Sequence, residues 1–474
     1  MKLVDVDRTL IRYLRDNIPI ETFKLVIDFE NQESASLAEK WIRPVATKTC
    51  LKELVLTVRI YAASFTVPDE ILLGENLTKL RVTVAGGKKY PVWMTTSQHP
   101  VINCVSLQEL HLDGVCISEE VLHDILSSCR MLVKIVLLES CKGLKTIKVK
   151  NLPRLNELQI AFDAADSTAL EVSDVPNLGV FSYDLHSLRL PLIPYNGHLI
   201  SLGSSRVTQL MLGGMILDNV CLDTIKLGFP FLESLTIGMC SWMLESFHFT
   251  CASIKRLSLL SCPDTLIDVQ VHAPNLLVFE FDGGTLPSLL FPASSLQVIR
   301  VSLLLHLRVD ANFFLKMREA LTLSRKCHLN ITTRNYKPPL DIDIDDLRTR
   351  LPFPPARNVR QLSFQTSGDE CMWERSPFFD AFFEICHPSN VYAMPDMMFK
   401  HNNHFCRLML REVLEKNKTG TVCWPRYLKH AQISHAPLSE GPPLKWKTLT
   451  NSHRSFLDGS IPGVYLQFKL KWRR

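Results

Sequence analysis

The sequence lacks the features that would mark it as a membrane, secreted or nucleic-acid-binding protein. No apolar run reaches the roughly 18 residues that a membrane-spanning helix needs. No apolar signal-peptide core follows Met1. The net charge is only +5 over 474 residues and is spread along the chain, which is too little to indicate nucleic-acid binding. We therefore expect a cytoplasmic or nuclear protein with no membrane segment and no nucleic-acid partner.

The 14 cysteines do not form a C-x-x-C motif at any point of the chain. Many of them instead fall at repeated positions, and Cys240, Cys251 and Cys262 are spaced by eleven residues. In a reducing compartment this pattern favours small buried side chains over a disulfide framework.

Catalytic and metal-binding motifs are absent or incomplete. G-x-S-x-G does not occur, and Gly86–Lys89 lacks the frame of a phosphate-binding loop, so it predicts a hairpin turn. His401 and His404 have the spacing of two metal ligands but no C-x-x-C or carboxylate nearby, which favours a solvated or capping pair. The acidic run Asp341–Asp346 alternates with isoleucine and predicts an extended edge with its acids in water. We therefore predict a non-enzyme with no catalytic residue, no metal site and no cofactor.

A six-residue phrase, L-x-x-L-x-L, recurs in register along most of the chain. Its clearest copy is Ile254–Leu259, where Cys262 completes the pattern L-x-x-L-x-L-x-x-N/C of leucine-rich repeats. The second and third apolar residues lie on one side of a short strand. The first positions, at steps of 20 to 30 residues, are Leu51, Leu77, Leu107, Leu132, Leu155, Leu178, Val207, Leu232, Ile254, Leu276 and Leu296.

An intermediate phrase follows several of these strands after about eleven residues. Examples start at Leu144, Leu244 and Leu286, and they again alternate apolar and polar residues. The pattern predicts an α/β repeat fold: a leucine-rich-repeat solenoid with a curved parallel β ladder and a mixed extended and helical outer side.

We expect the solenoid to span residues 51–366, with residues 1–50 as an N-terminal cap. The cap contains a predicted helix at Val6–Leu14, a strand at Ile20–Phe29 and a helix at Ser36–Arg43 that Pro44 ends. Such caps cover the open core at the end of a repeat array.

Residues 367–474 predict a small α+β module at the other end. It contains an aromatic helix at Ser376–Pro388, a helix at His404–Lys416 and a half-buried strand in Val464–Arg474. Before it, Asp310–Ser324 predicts an amphipathic helix that Asp310 caps.

The strands carry basic residues between their inward positions, and two interpretations are open. A positive concave face would take an acidic peptide or a phosphate-rich ligand, whereas a mixed, solvated face would result if acids occupy the same positions. Acids do occupy them, which favours the mixed face. The basic residues are Lys52, Lys79, Arg81, Lys134, Lys255, Arg256 and Arg300, and the acids are Glu53, Glu109, Glu157 and Glu233.

Several longer phrases resemble the plant F-box/leucine-rich-repeat proteins. They are V-D-R-T-L, P-I-E-T-F-K-L and S-L-A-E-K-W-I near the start, and F-F-L-K-M-R-E-A-L, D-I-D-D-L-R-T-R-L-P-F-P-P, W-P-R-Y-L-K-H and F-K-L-K-W-R in the C-terminal part. The resemblance implies that the repeats hold a target protein. It also implies that an N-terminal F-box binds the Skp1-type linker of an SCF ubiquitin ligase.

The F-box itself is the point of departure from that family. Nothing like its L-P-D-E-I-L opening precedes Val6, and Pro68–Leu72 (P-D-E-I-L) lies between two repeat strands, so we interpret it as a coincidence. We predict a scaffold that binds a target protein on its concave face, and a Skp1-type linker is not expected without an F-box. The alternative is a module that acts independently of the ligase or competes with full-length relatives.

Overall fold

The computed structural model contains two compact units, Met1–Met243 and Leu244–Arg474. The residues that it describes are 3–48, 50–86, 90–95, 102–138, 144, 146–163, 169–186, 206–292, 296–306, 309–333, 342–351, 353–366, 377–393, 424–437, 445–450 and 464–473.

The first unit alternates strands of one long ladder with short strands or helices on its outer side. In chain order its elements are α1 (Leu3–Arg15), β1 (Thr22–Phe29), α2 (Gln32–Lys48), β2 (Glu53–Ile60), β3 (Phe65–Val67), a 3₁₀ helix (Asp69–Leu73), β4 (Lys79–Gly86), β5 (Val92–Met94), β6 (Glu109–Asp113), β7 (Val115–Ile117), α3 (Glu119–Ser128), β8 (Lys134–Leu138), β9 (Thr146–Lys150), β10 (Glu157–Asp163), β11 (Ala169–Ser173), β12 (Val180–His186), β13 (Gln209–Gly213), β14 (Ile216–Leu217), α4 (Asn219–Gly228), β15 (Ser234–Gly238) and β16 (Ser241–Trp242).

The ladder of this unit is parallel throughout. Its strands pair in the order β1, β2, β4, β6, β8, β10, β12, β13 and β15. The outer side has three smaller parallel sheets, β3–β5–β7, β9–β11 and β14–β16. Helices α3 and α4 follow the outer strands β7 and β14 within the same coils, so the predicted mixture of extended and helical outer segments is confirmed.

The repeated phrase explains why each coil forms. Each ladder strand from β2 to β15 begins two residues after the first position of its phrase. The three apolar positions point inward, and in the β6 coil Leu107, Leu110 and Leu112 are all fully buried. Each such side chain contributes about 1.5–3 kcal/mol when it leaves water. The first-position amide also closes a turn, as where Leu107 N donates to the Cys104 carbonyl at 3.1 Å.

Consecutive coils are joined by one recurrent hydrogen-bond arrangement. The amides of Gln108 and Glu109 both donate to the Thr78 carbonyl, at 2.8 and 3.0 Å. The amides of Val133 and Lys134 do the same to the Gln108 carbonyl, at 2.8 and 3.0 Å. Each coil therefore presents one carbonyl that accepts two amides of the next coil, just before the strands begin to pair.

The same hydrogen-bond arrangement also involves the first 50 residues, which the sequence predicts to be a cap outside the repeats. The Glu21 carbonyl accepts from the amides of Lys52 and Glu53, at 2.7 and 2.9 Å. Ile20–Leu25 (I-E-T-F-K-L) therefore occupies the position of the repeated phrase, and β1 is a first ladder strand. The ladder starts one strand before residue 51.

The predicted end of the second helix at Pro44 is wrong, because α2 continues to Lys48. Proline in a helix interior removes one donor and costs about 3 kcal/mol or more. Here its neighbours Trp41, Ile42 and Val45 are at most 2% exposed. Burial of about 1.5–3 kcal/mol for each of these side chains outweighs the local cost.

The second unit continues the same pattern and then changes to antiparallel strands. Its elements are β17 (Ser246–Thr250), β18 (Arg256–Cys262), β19 (Asp268–His272), β20 (Val278–Gly283), β21 (Ser288–Leu290), β22 (Val298–Leu305), α5 (Ala311–Ala320), β23 (Lys326–Thr333), α6 (Ile344–Arg350), β24 (Val359–Thr366), α7 (Phe378–Ile385), β25 (Asn390–Ala393), α8 (Trp424–Tyr427), β26 (Leu428–Pro437), β27 (Lys447–Thr448) and β28 (Val464–Trp472).

Strands β18, β20, β22, β23, β24 and β25 form a parallel ladder, and β17–β19–β21 is its outer sheet. The ladder thus extends one strand beyond residue 366. Antiparallel strands β28, β26 and β27 then follow β25. The predicted α+β texture of this end is confirmed, while the domain boundaries at 50 and 366 stay predictions.

Aromatic side chains fill the core beside the last parallel strands. Phe364 of β24 contacts Phe379 and Phe382 of α7 edge-to-face, with ring centroids 5.1 and 5.2 Å apart. Phe314 of α5 meets Phe382 at 5.2 Å. The predicted helices α5 and α7 are confirmed, and Asp310 caps α5 through a 3.0 Å bond from the Phe313 amide.

The acidic run is not the extended edge that its alternation with isoleucine predicts. Asp341 lies outside the described residues, but Asp343 caps the helix α6 rather than belonging to an extended edge. Its carboxylate accepts from the amides of Asp345 and Asp346, at 2.9 and 3.0 Å. Leu347 is fully buried, and its burial together with the cap favours a helix over an extended segment.

Candidate functional site

The outward positions of the first ladder form two parallel rows of side chains. The strand register aligns the first row, which contains Glu53, Lys79, Glu109, Lys134 and Glu157. The same register aligns the second row, which contains Val55, Arg81, His111, Val136 and Gln159. Because one residue comes from each coil, neither row could be assembled by a local segment of the chain.

Charges alternate along the first row and pair across coils. Lys79 lies 3.0 Å from Glu109 and 3.8 Å from Glu53, and Lys134 lies 2.9 Å from Glu157. These pairs support the mixed face that the acids in the sequence favoured. Each exposed pair is worth at most about 1 kcal/mol, so the row determines the charge pattern of the surface more than its stability.

Arg81 in the second row differs from these paired lysines. Its guanidinium donates to His111 Nδ1 at 3.5 Å, and no described carboxylate lies within 4 Å of it. Burial, and then the charges of Arg81, Lys134 and Lys79, lower the pKa of His111 to about 4. The imidazole is therefore neutral near pH 7, and among the described residues it leaves the charge of Arg81 uncompensated.

A shallow cavity of about 190 Å³ lies over this part of the ladder. The charged side chains of Lys79, Arg81, Glu109 and Lys134 surround it together with His111. Its walls are strand surfaces, so it suits a side chain of a larger ligand better than a whole small molecule, which normally occupies a deeper and more apolar pocket.

The second unit has a related row on its own ladder. Ser258, Glu280, Arg300 and His328 are aligned by register. Glu280 accepts a 2.9 Å bond from Ser258 and also pairs with Arg300. Burial lowers the pKa of His328. Arg300 therefore has a carboxylate partner, whereas Arg81 has none among the described residues.

A histidine–aspartate contact bridges two turns of the second unit. His306 Nε2 lies 2.6 Å from Asp264 Oδ2, and its Nδ1 lies 2.9 Å from the Leu304 carbonyl. Both acceptors need an N–H, so the geometry fits the charged imidazolium, and these contacts raise the pKa of His306. A Cβ on Gly284 would overlap with both Asp264 Oδ1 and His306 Cε1, so the bridge in this geometry needs a glycine beneath it.

The candidate chemical residues do not assemble into a reactive centre where the structure describes them. His401 and His404 lie outside the described residues, as do residues 87–89 of the predicted hairpin; Gly86 ends β4. Within the described ranges, no group of three or more histidine, cysteine or acidic side chains is placed to hold a metal ion. In the P-D-E-I-L segment, Pro68 immediately precedes the 3₁₀ helix and residues 69–72 belong to it. Ile71 and Leu72 of this helix are each 2% exposed.

The cysteines of the described chain are free thiols, and most are buried as expected. Cys104 and Cys129 lie with their sulfurs 3.2 Å apart beneath two successive turns. Burial raises the pKa of Cys240 and Cys327 to about 11. A high pKa disfavours the thiolate, so Cys240 and Cys327 are packing residues rather than nucleophiles.

The segment that carries both rows resembles a known family of repeats. Residues 38–187 match the family described as "FBD-associated F-box protein At5g56370, LRR repeats". No curated protein matches the chain significantly. None of the helices in the described residues is long and apolar enough to cross a membrane. The matched segment runs from within α2 through β12 and includes both rows, and it is similar to the leucine-rich repeats of that family.

Proposed function

We propose that this chain is a non-catalytic scaffold that binds a target protein on the outward face of its first ladder. The observation that supports this proposal best is the environment of Arg81. Its guanidinium lies on the outward face of β4, and its hydrogen-bond partner among the described residues is the neutral His111. The neighbouring row supplies acids and bases in alternation. Such a surface favours a protein segment with a carboxylate opposite Arg81 and complementary charges beside it.

The face suits a macromolecule because each coil contributes one side chain per row. Strands lie about 4.8 Å apart, so the five coils from β2 to β10 offer rows about 20 Å long. That length matches an extended peptide or an exposed element of a folded partner. The free thiols of the described chain fit a cytoplasmic or nuclear location, which we propose with this function.

Arg81→Glu tests the surface. Affinity capture with the whole chain should recover a specific protein, and the variant should bind that protein at least tenfold more weakly, because a desolvated charge contact is worth about 1.5–3 kcal/mol. Arg154→Glu makes the same change in charge at an exposed turn before β10 and should leave binding unchanged. Equal binding by Arg81→Glu and the parent chain would contradict the proposed face.

The finer proposal is that the captured protein is a ubiquitination substrate of an SCF ligase. It is supported by the match of residues 38–187 to a family of repeats described as F-box-associated. Pull-down with a Skp1-type protein distinguishes the two roles: binding supports a ligase subunit, and no binding with retained target capture supports the independent module. Substrate turnover that one point substitution abolishes would contradict a non-catalytic role.

A further inference from the structure

Among the described residues, the N-terminal edge strand of the first ladder, β1, has eight residues and is hydrogen-bonded on one side. Within the described ranges, β2 is the strand that pairs with β1, over Thr22–Phe29. Helix α1 lies against α2, where Asp7 accepts from Trp41 Nε1 at 2.8 Å and from Lys40 at 3.1 Å. Unpaired strand edges are templates for further pairing, and most proteins cover or distort them.

The backbone direction of β1 determines which residues face this edge. The Glu21 and Phe29 carbonyls accept from amides at the two ends of β2. In a parallel pair the residues that bond one neighbour alternate along the strand. The odd-numbered residues therefore bond β2, and the backbone groups of Lys24, Val26 and Asp28 face the open edge.

The side chains of the same three residues form a self-complementary pattern. Val26 is 67% exposed, and the side chains of Lys24 and Asp28 are 63% and 43% exposed. Both charges form only long, solvent-exposed ion pairs with β2, Lys24 with Glu53 at 4.0 Å and Asp28 with Arg59 at 3.6 Å. Each charge therefore remains available to a closer partner.

We propose that β1 pairs antiparallel with β1 of a second copy of this chain, in the register that places Val26 opposite Val26. This register sets Lys24 of each copy opposite Asp28 of the other, and it sets the two valines in contact on the same face. The residues facing each other, Lys24, Val26 and Asp28, are those whose amides and carbonyls face the open edge, so they form hydrogen-bonded pairs. On the other face, Leu25 lies opposite Ile27, which extends the buried aliphatic layer.

Neighbouring registers of the two β1 strands give less favourable cross-strand pairs. Centring the pair on Leu25 places Lys24 opposite Val26, and centring it on Ile27 places Val26 opposite Asp28. Cross-strand pairs are the unit of sheet stability, and opposite charges or apolar pairs are favoured over these mismatches. The sequence K-L-V-I-D is complementary to itself only about Val26, which selects a second copy over an unrelated strand.

Charge reversal tests both the partner and the register. The parent chain should be dimeric by light scattering and native mass spectrometry at micromolar concentrations. Lys24→Asp and Asp28→Lys should each weaken the dimer roughly tenfold or more, because each places two like-charged pairs in the interface. An equimolar mixture of the two variants should form a heterodimer, because both cross-strand charge pairs are again of opposite sign only when one copy carries each substitution.

Cross-linking tests the centre of the register. Val26→Cys should give a disulfide between the two copies, identified by peptide mass spectrometry, since Cα atoms of a hydrogen-bonded pair lie about 5.5 Å apart and disulfides need about 4.4–6.8 Å. Met211→Cys, on the interior strand β13 and 48% exposed, is the matched control and should not cross-link. Circular dichroism checks that each variant is folded.

A monomeric parent chain overturns the proposal, as does a dimer that both charge variants leave unchanged. The proposal is also overturned if folded Lys24→Asp and Asp28→Lys are each monomeric but fail to associate when mixed. In that case Lys24 of one copy would not pair with Asp28 of the other.

Discussion

The sharpest test of the coil geometry is Gly114→Ala. Gly114 is the single residue between β6 and β7, where the chain turns from the ladder to the outer sheet, and its φ is +74°. A Cβ there would lie 2.7 Å from both Cβ and the carbonyl oxygen of Val84. The turn is also tied to the next coil, because the Gly114 amide donates to the Leu138 carbonyl at 3.1 Å.

Two terms set the size of the effect. A left-handed backbone costs a residue with a Cβ about 1–2 kcal/mol. Forcing the extra methyl group against the neighbouring strand adds about 1–3 kcal/mol, because one of the clashing atoms belongs to the backbone. We expect a loss of about 2–5 kcal/mol in the free energy of unfolding, which corresponds to a fall of roughly 4–20 °C in Tm for a unit of this size.

Thermal and urea unfolding followed by circular dichroism measure this loss. Gly228→Ala is the matched control, since Gly228 ends α4 and a Cβ there meets nothing within 4 Å. That variant should be neutral or more stable by up to about 1 kcal/mol, because alanine has less freedom in the unfolded chain. Val84→Ala should not rescue Gly114→Ala, since it leaves the clashing Cβ and oxygen in place. A Gly114→Ala protein as stable as the control would refute the reasoning.

Two further predictions concern the core and the pH dependence of stability. Leu110→Ala, at a fully buried inward position, should cost about 2–5 kcal/mol in urea unfolding, while Met211→Ala on the outward face should cost less than about 1 kcal/mol; similar losses would contradict the assigned faces. The hydrogen bonds to the Leu304 carbonyl and to Asp264 raise the pKa of His306, so the contribution of the charged bridge is complete below the ordinary pKa near 6.5 and is lost as pH rises through the raised value. Because the His306 side chain is 51% exposed, that contribution stays below about 1 kcal/mol. Asp264→Asn should lower the pKa of His306 in an NMR titration; an unchanged value would exclude the bridge.

The ladder was predictable because one chemical requirement recurs in every coil. Inward positions must be apolar, so the phrase at Leu107 or Leu232 determines both the strand and its inward face. The strand predicted at Ile20–Phe29 is present as β1, but its place in the ladder depends on its pairing with β2, which a local alternation of apolar residues does not specify. The helix through Pro44 was missed because burial outweighed a local signal.

The candidate site was predictable in composition but not in pairing. The sequence predicts that Lys79 and Arg81 both lie on the outward face of one strand, since both alternate with inward residues, and it does not distinguish between them. Only the register between coils shows that Lys79 meets Glu109 whereas Arg81 meets a neutral His111. Contacts between residues some 30 positions apart depend on coil length, which the variable outer segments determine.

The carbonyl that accepts two amides from the following coil has a consequence for how such a chain can change its length. The donor and acceptor belong to the backbone at one fixed position of the phrase, so any two coils can be joined by them whatever their side chains. Removal of one complete period, such as residues 132–154, would bring Asn156 and Glu157 to the Gln108 carbonyl that Val133 and Lys134 now occupy. Gain or loss of entire periods is thus structurally tolerable, whereas a deletion of part of one would leave an amide pair without its acceptor.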